Sequence, residues 1–472
     1  MVLSIARKEF VDLTRDGRFR WASAIVAVLL VVATAAGWRN WRDVREEHDR
    51  AQAEARGQFE GQEEKNPHAA AHYGLYVFKP KPMLALFDSG VDPYTGVSVY
   101  LEAHRRNEVR DRPARDATAL QRFGELTPAS VLQMLVPLLI IFLAFPAIAG
   151  EREQGTLRQV MSLGVRPSTL MAGKALGLAA ALGLILVPAA VLGGTLLAMG
   201  STGPEHAGPD ALALGAGYLL YLGIFLAGSL AVSARSRTSR GALVVLLGFW
   251  IANAMIAPRL ATDLARRAVG TPSSAEFAAA IQRDIKGGIN GHDPEDRRLD
   301  RLKQELFRKH GVATVEELPI NFQGVALQAG EEYGHAVYDR HYGALRDAFD
   351  RQDAIRAGLG LAFPSLAIRD LSMALAGTDN RHARDFADAA EAYRRDLVRA
   401  LNKDLEVNGA DLGFMYQAGP DLWRSMPRFD YEPPGLVATL RHQWLAWLSL
   451  AAWSAGLLSL ARRSARRLRV DA

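Results

Sequence analysis

The chain has 472 residues, of which 49% are apolar and 23% charged, with a formal net charge of +5 and no cysteine. Those averages describe an ordinary soluble protein, and the missing cysteines exclude disulfides, thiolate metal sites and cysteine nucleophiles. The distribution says something different. Six runs contain no Asp, Glu, Lys or Arg: 21–37, 128–150, 175–202, 211–233, 241–258 and 443–461. Each is close to the roughly 20 residues a helix needs to cross a hydrocarbon core. Six helices apolar all round would need an implausibly large core in a soluble protein. The expected fold class is a mainly α membrane protein with six transmembrane helices, an N-terminal interfacial helix and two extracytoplasmic regions, mostly α with some β in the first.

Orientation follows from Lys and Arg in short loops and termini. Residues 1–20, 151–174, 234–240 and 462–472 together carry 17 basic and 6 acidic residues, which assigns them to the cytoplasm. The short loop 203–210 has no Lys or Arg and is assigned to the other side. Arg39, Arg42 and Arg45 run against this rule, although they open a long translocated region. The sequence pI of 9.4 is thus a topology signal and not a nucleic-acid footprint.

In chain order, residues 1–20 combine Leu3, Ile5, Phe10, Val11 and Leu13 with charges on another helical face, as in an amphipathic helix lying in the interface. A signal peptide with Ala33-Thr34-Ala35 as its cleavage site is the competing reading. Glu9, Asp12 and Asp16 in the basic lead favour an uncleaved first span, 21–37. Region 38–127 opens with Asn40–Gln62, expected to prolong that span as a helix. Pro and Gly punctuation then separates short β-prone runs at Leu75–Phe78 and Val97–Leu101. His68 and His72 sit four apart and Glu102-Ala103-His104 follows. A metal site or proton-sensitive contact is compatible with this spacing, but hydrogen-bonded surface or packing residues are the simpler reading.

The second span, 128–150, carries Gln133, Pro137 and Pro146, which suits a helix packed among others. Spans 175–202 and 211–233 run antiparallel and are rich in Gly and Ala, which implies close helix packing. The fifth span, 241–258, has Asn253 as its strongly polar side chain, expected to make an interhelical hydrogen bond. Gln133 and Asn253 are the candidate pathway residues. Region 259–442 is large enough for an independent domain. It shows helical patterns at Leu299–His310, Ala326–Ala357 and Asp385–Leu405. The apolar stretch Gly358–Gly377, broken by Pro364 and Arg369, is expected to return to the outer membrane surface as an interfacial helix. His335, Asp339 and His341 read as solvated, not as ligands. The sixth span is 443–461.

The chain has no phosphate-cradling loop: Gly173-Lys174 is followed by Ala175 and lacks the preceding glycine. No nucleophile or metallohydrolase motif replaces it. The chain is therefore not catalytic by itself, and energy for any work must come from a partner.

Residues 151–174, EREQGTLRQVMSLGVRPSTLMAGK, form a polar segment between two apolar runs. Glu151-Arg152-Glu153-Gln154-Gly155-Thr156-Leu157 with Val165-Arg166-Pro167 and Gly173-Lys174 resembles the cytoplasmic-loop signature of the ABC-2 family of ABC transporter permeases. Arg7-Lys8-Glu9-Phe10 with Arg15-Asp16 is similar to that family's interfacial entry helix. His72-Tyr73-Gly74, Leu101-Glu102-Ala103-His104 and Gly377-Thr378-Asp379 resemble a branch with two large outer regions, related to the gliding-machinery and nitrous-oxide-reductase maturation permeases. The resemblance covers essentially the whole chain; the size of the outer regions departs from compact members. It implies a separate ABC ATPase subunit that carries ATP and Mg and contacts Glu151, Arg152, Glu153, Gly155, Thr156, Leu157 and Arg158. It also implies a second permease copy or a similar permease, membrane lipids around the spans, and the bacterial inner membrane. Glu151 and Glu153 suit a helix start, and Thr156, Leu157, Val160 and Met161 offer a mixed surface for a partner groove. A membrane-anchored extracytoplasmic sensor without an ATPase is the alternative; six spans exceed what anchoring needs.

Overall fold

The computed structural model describes residues 1–113, 126–200, 207–293 and 295–468. Part of the expected loop 203–210 and Arg469 of the basic tail lie outside them. The protein is a mainly α membrane protein, and among the described residues six helices are long and apolar enough to cross a bilayer. They are α2 (Gly17–Glu60), α4 (Pro128–Glu153), α6 (Pro167–Gly200), α7 (Ala207–Arg235), α8 (Ser239–Ala268) and α14 (Trp444–Arg466). A first helix, α1 (Val2–Arg15), precedes them. We call the end of the bundle that carries α1 and the last turn of α14 the terminal face, and the opposite end the insertion face.

Apolar side chains of the spans sort into two sets. Leu139, Ile140, Ile141, Leu178, Tyr221, Ile224 and Leu450 are buried in one contiguous core. Ile25, Val28, Val191, Leu219 and Val244 remain exposed, as expected of surfaces solvated by lipid. The tightest packing is not between neighbouring spans α6 and α7. Helix α7 instead lies along α14, and Gly183, Gly193, Gly194, Gly215 and Gly223 have open space where a side chain would begin. Close approach is confined to a few sites, among them Gly173 and Gly177, where α1 crosses α6, Gly37 against Leu86, Gly200 against Met83 and Gly217 against Leu371.

Helix α2 runs without interruption from the first apolar run through Asn40–Gln62, and its tip enters a second core. The first insertion adds α3 (Pro67–Tyr73) and the strands β1 (Leu75–Phe78) and β2 (Ser98–Leu101), which are antiparallel with Leu75 opposite Leu101 and Val77 opposite Val99. These four side chains face inward, while Tyr76 and Tyr100 pair on the other face with ring centres 4.9 Å apart. This alternation is the period-2 pattern of a half-buried sheet. The second insertion supplies α9 (Ser274–Lys286), α10 (Asp300–His310), α11 (Phe322–Gly360), α12 (Pro364–Leu375) and α13 (Asn380–Asn408).

Two expectations change. The second insertion is not an independent domain: Phe386, Leu397, Leu401 and Trp423 share a core with Phe59, Ala70, Val77 and Leu101 of the first. Each part alone would leave half of that core in water, so the two insertions form one unit. Nor does Gly358–Gly377 lie in an interface. Helix α12 is buried nearly all round, with Leu366, Ile368, Leu371 and Leu375 under 6% exposed. It packs against α7 and α14 and closes the insertion face of the bundle, which explains its apolar composition.

Candidate functional site

Two carboxylates of the terminal face converge on one lysine. Lys174, 3% exposed, holds its Nζ 2.8 Å from Glu9 Oε2 of α1 and 2.8 Å from Glu151 Oε1 of α4. It can reach both because α1 lies directly on α6. A side chain at Gly177 would begin 2.6 Å from Glu9 Cβ, and one at Gly173 2.6 Å from Ile5 Cβ. Arg7 is exposed, Lys8 bonds to Asp12 at 2.9 Å, and Phe10 packs against the bundle core. The apolar face of α1 therefore rests mainly on protein, with Leu3 left exposed.

The neighbouring charges are also engaged. Arg152 donates to Ala234 O at 2.8 Å and to Ser236 O, and Glu153 accepts from Ser239 N at 3.1 Å and Ser239 Oγ at 2.6 Å. They tie the end of α4 to the linker between α7 and α8. Ser233 Oγ reinforces the tie by accepting from the Ile148 and Ala149 amides and donating to Phe145 O. Gly155, with φ +75°, then turns the chain into α5 (Thr156–Ser162), a conformation other residues adopt with difficulty. Thr156 caps back onto Glu151 O at 3.2 Å. Of the mixed surface expected at Thr156, Leu157, Val160 and Met161, Leu157 is buried and the other three are half-buried. Leu157 is 3% exposed and Val160 and Met161 pack beside it, because α5 lies flat and turns its apolar side to the bundle. The outward residues include Gln154, Gly155, Arg158, Gln159, Ser162 and Leu163, the last 81% exposed.

The two pathway candidates are separated. Gln133 donates through Nε2 to Tyr218 OH at 2.9 Å, Tyr218 donates to Ser372 Oγ at 3.0 Å, and Ser372 donates to Asp88 Oδ2 at 2.5 Å. This buried relay ends on the insertion face, where burial pushes the Asp88 carboxyl above its usual pKa. Among the described residues, Asn253 does not bond to another helix through its side chain. Its Nδ2 turns back to Phe249 O at 3.1 Å, while its backbone carbonyl, loosened by a π-helical turn at Ala252–Ile256, accepts from Ser365 Oγ at 2.6 Å.

In the insertion unit, His68, His72 and His104 come together and are joined by His292, which sequence reasoning missed. Its only local signal is the preceding Gly287-Gly288-Ile289-Asn290-Gly291, which lets the loop lie against α11. The other trio disperses: Asp339 pairs with Arg395 at 2.6 Å, His341 with Asp284 at 2.8 Å, and His335 faces Glu331 at 3.4 Å.

Two family models match the chain. One, described as ABC-2 family transporter protein, covers residues 3–278, more than half of the sequence and the whole terminal-face cluster. The chain belongs to the ABC-2 family. The other, DUF3526, a domain of unknown function, covers residues 274–432, the second insertion up to shortly before α14. A probable ABC transporter permease protein NosY of Pseudomonas aeruginosa is 36% identical over 129 residues, or 26% of this chain and 45% of the relative. The chain thus spans less than half the length of that relative. This ABC-2 protein is an integral membrane protein, and its family match ends where the second insertion begins.

Proposed function

We propose that this ABC-2 protein is the permease subunit of an ABC transporter, taking energy from a separate ATPase subunit that binds ATP and Mg. In this reading the terminal face is cytoplasmic, as its excess of Lys and Arg favours, and the insertion unit stands outside the inner membrane. The observation that carries the proposal is Lys174, clamped between Glu9 and Glu151. A buried cation shared by carboxylates of two elements locks those elements together. Removing it leaves two half-buried carboxylates without their shared cation, at a cost below the ~3–5 kcal/mol of breaking a fully buried pair. Force applied to α5 or α1 is therefore delivered to α4 and α6 together.

The ATPase would grip the outward side of α5 through Gln154, Arg158, Gln159 and Leu163, with Glu151, Arg152 and Glu153 acting as internal ties. Two such permeases, or this chain with a similar one, would pair over two ATPases. The output is export or mechanical work on the insertion side.

Co-purification tests this directly. Leu163→Glu alters only an exposed side chain and is expected to abolish capture of the ATPase while leaving the permease folded. Lys174→Met is expected to keep capture but lose the stimulation of ATP hydrolysis by the permease. Normal capture and stimulation in both variants would remove the basis of this reading.

A further inference from the structure

The four histidines of the insertion unit sit on a scaffold that fixes them individually. His68 and His72 are one helical turn apart on α3 and so share a face. His104 follows β2 in a left-handed backbone conformation, φ +64°. His292 is delivered by a loop lying directly on α11: a side chain at Gly291 would begin 2.6 Å from Ala326 O. One ring nitrogen from each of the four lies within 4.8 Å of the others.

Their proton positions are dictated from behind. His104 Nδ1 faces Glu331 Oε1 at 2.8 Å and therefore carries its proton there, which leaves a lone pair on Nε2. His68 Nδ1 faces Asn402 Oδ1 at 3.0 Å, and Asn402 donates through Nδ2 to Gln328 Oε1 at 3.2 Å, so Nδ1 of His68 is likewise the protonated nitrogen. The consequence is that the Nε2 lone pairs of His68 and His104 point at each other across 3.1 Å, with His292 Nε2 2.8 Å from His104 Nε2. Two acceptors at that distance repel unless a cation lies between them.

We propose that His68, His72, His104 and His292 bind one divalent transition-metal ion of the Zn2+ class, clasping the two insertions together. Zn–N bonds of about 2.0–2.1 Å set tetrahedral nitrogens about 3.4 Å apart, a value that falls between the 3.1 and 2.8 Å contacts at His104 Nε2 and the 4.8 Å that bounds the whole set. Four imidazoles and no thiolate suit Zn2+ and its first-row neighbours and do not suit Mg2+ or Ca2+, which take oxygen ligands. The Glu331 carboxylate behind His104 is the outer partner such ligands use. Arg394 Nη1, 3.3 Å from Glu331 Oε2, holds that carboxylate from its other side. His72 and His292 are exposed, and a cavity of about 400 Å³ lined by His104, Asn290, Gly291 and His292 gives the ion a route in.

The test uses the full chain, purified without a polyhistidine tag, stripped with a chelator and titrated with Zn2+ or Co2+. One ion per chain is expected, with the visible absorption of tetrahedral Co2+, no competition from Mg2+, and a higher Tm with metal than without. The double variant His72→Ala/His292→Ala changes only exposed side chains and should unfold like the chelated parent. It should lose the ion and the Tm gain. Glu331→Gln should weaken binding about 10–100-fold. Less than one ion on the parent, an octahedral Co2+ spectrum, or parent-like affinity in the double variant would overturn the assignment.

Discussion

At the scale of single residues, buried charge is concentrated where elements from distant parts of the chain meet. Arg394, 1% exposed, holds Glu391 at 2.8 Å and Glu331 at 3.3 Å. Burial acts to raise the Glu391 pKa, but the hydrogen bonds of Arg394 and Arg395 and the charges of Arg394 and Arg106 prevail and lower it from its ordinary 4.5. A carboxyl with a lowered folded-state pKa contributes stability above its unfolded value and loses it as the pH falls through the folded one. Glu391→Gln is therefore expected to cost about 1.5–3 kcal/mol near neutral pH. The gap to the parent should narrow as the pH drops below 4.5, where the protonated acid comes to resemble the amide. Denaturant unfolding across pH 3–7 reads both quantities, and a gap independent of pH would count against the ion pair as its source.

At the scale of elements, the docking of α1 on α6 rests on missing side chains. Gly173 and Gly177 are spaced one turn apart, and that spacing brings backbones together where water provides no driving force. At Gly177 a Cβ would also lie 2.8 Å from Ala6 O, so a larger residue must push α1 away. Gly177→Leu is expected to free α1, seen as faster amide exchange over residues 2–15 and as tryptic cleavage at Arg7 or Lys8. Gly183→Leu, on the same helix with nothing within 4 Å, is the matched control and should leave α1 protected. Unchanged exchange in Gly177→Leu would show that the contact is dispensable. Helix α12 teaches the complementary lesson, since its apolar length suggested an interface while the protein used it as a plug over α7 and α14.

At the scale of the whole molecule, what could be read from the chain is what a bilayer and a short-range period impose. The charge-free runs, the strands Leu75–Phe78 and Ser98–Leu101, and the helices near 300–310 and 385–405 all follow from local composition. The fusion of the two insertions could not be read, because Phe59 and Trp423 are brought together by tertiary packing alone. The same holds for His292, 188 positions from its neighbour His104. The proposed orientation is open to a clean test, since the absence of native cysteine makes any introduced thiol unique. A membrane-impermeant maleimide on intact cells should label Glu305→Cys on the insertion unit and should reach Ser162→Cys only after permeabilisation; the reverse pattern would invert the topology. One consequence of α2 remains. Its 44 residues make an unbroken rod about 66 Å long, and Arg56 near its tip is bolted to the carbonyls of Met426 and Pro427. Some 35 Å of that rod project past the first apolar run, so a tilt of about 5° at the base swings the tip through about 3 Å. Because both insertions share the core around that tip, such a stroke carries them as a single body, and the protein has the mechanical form of a lever with its load already attached.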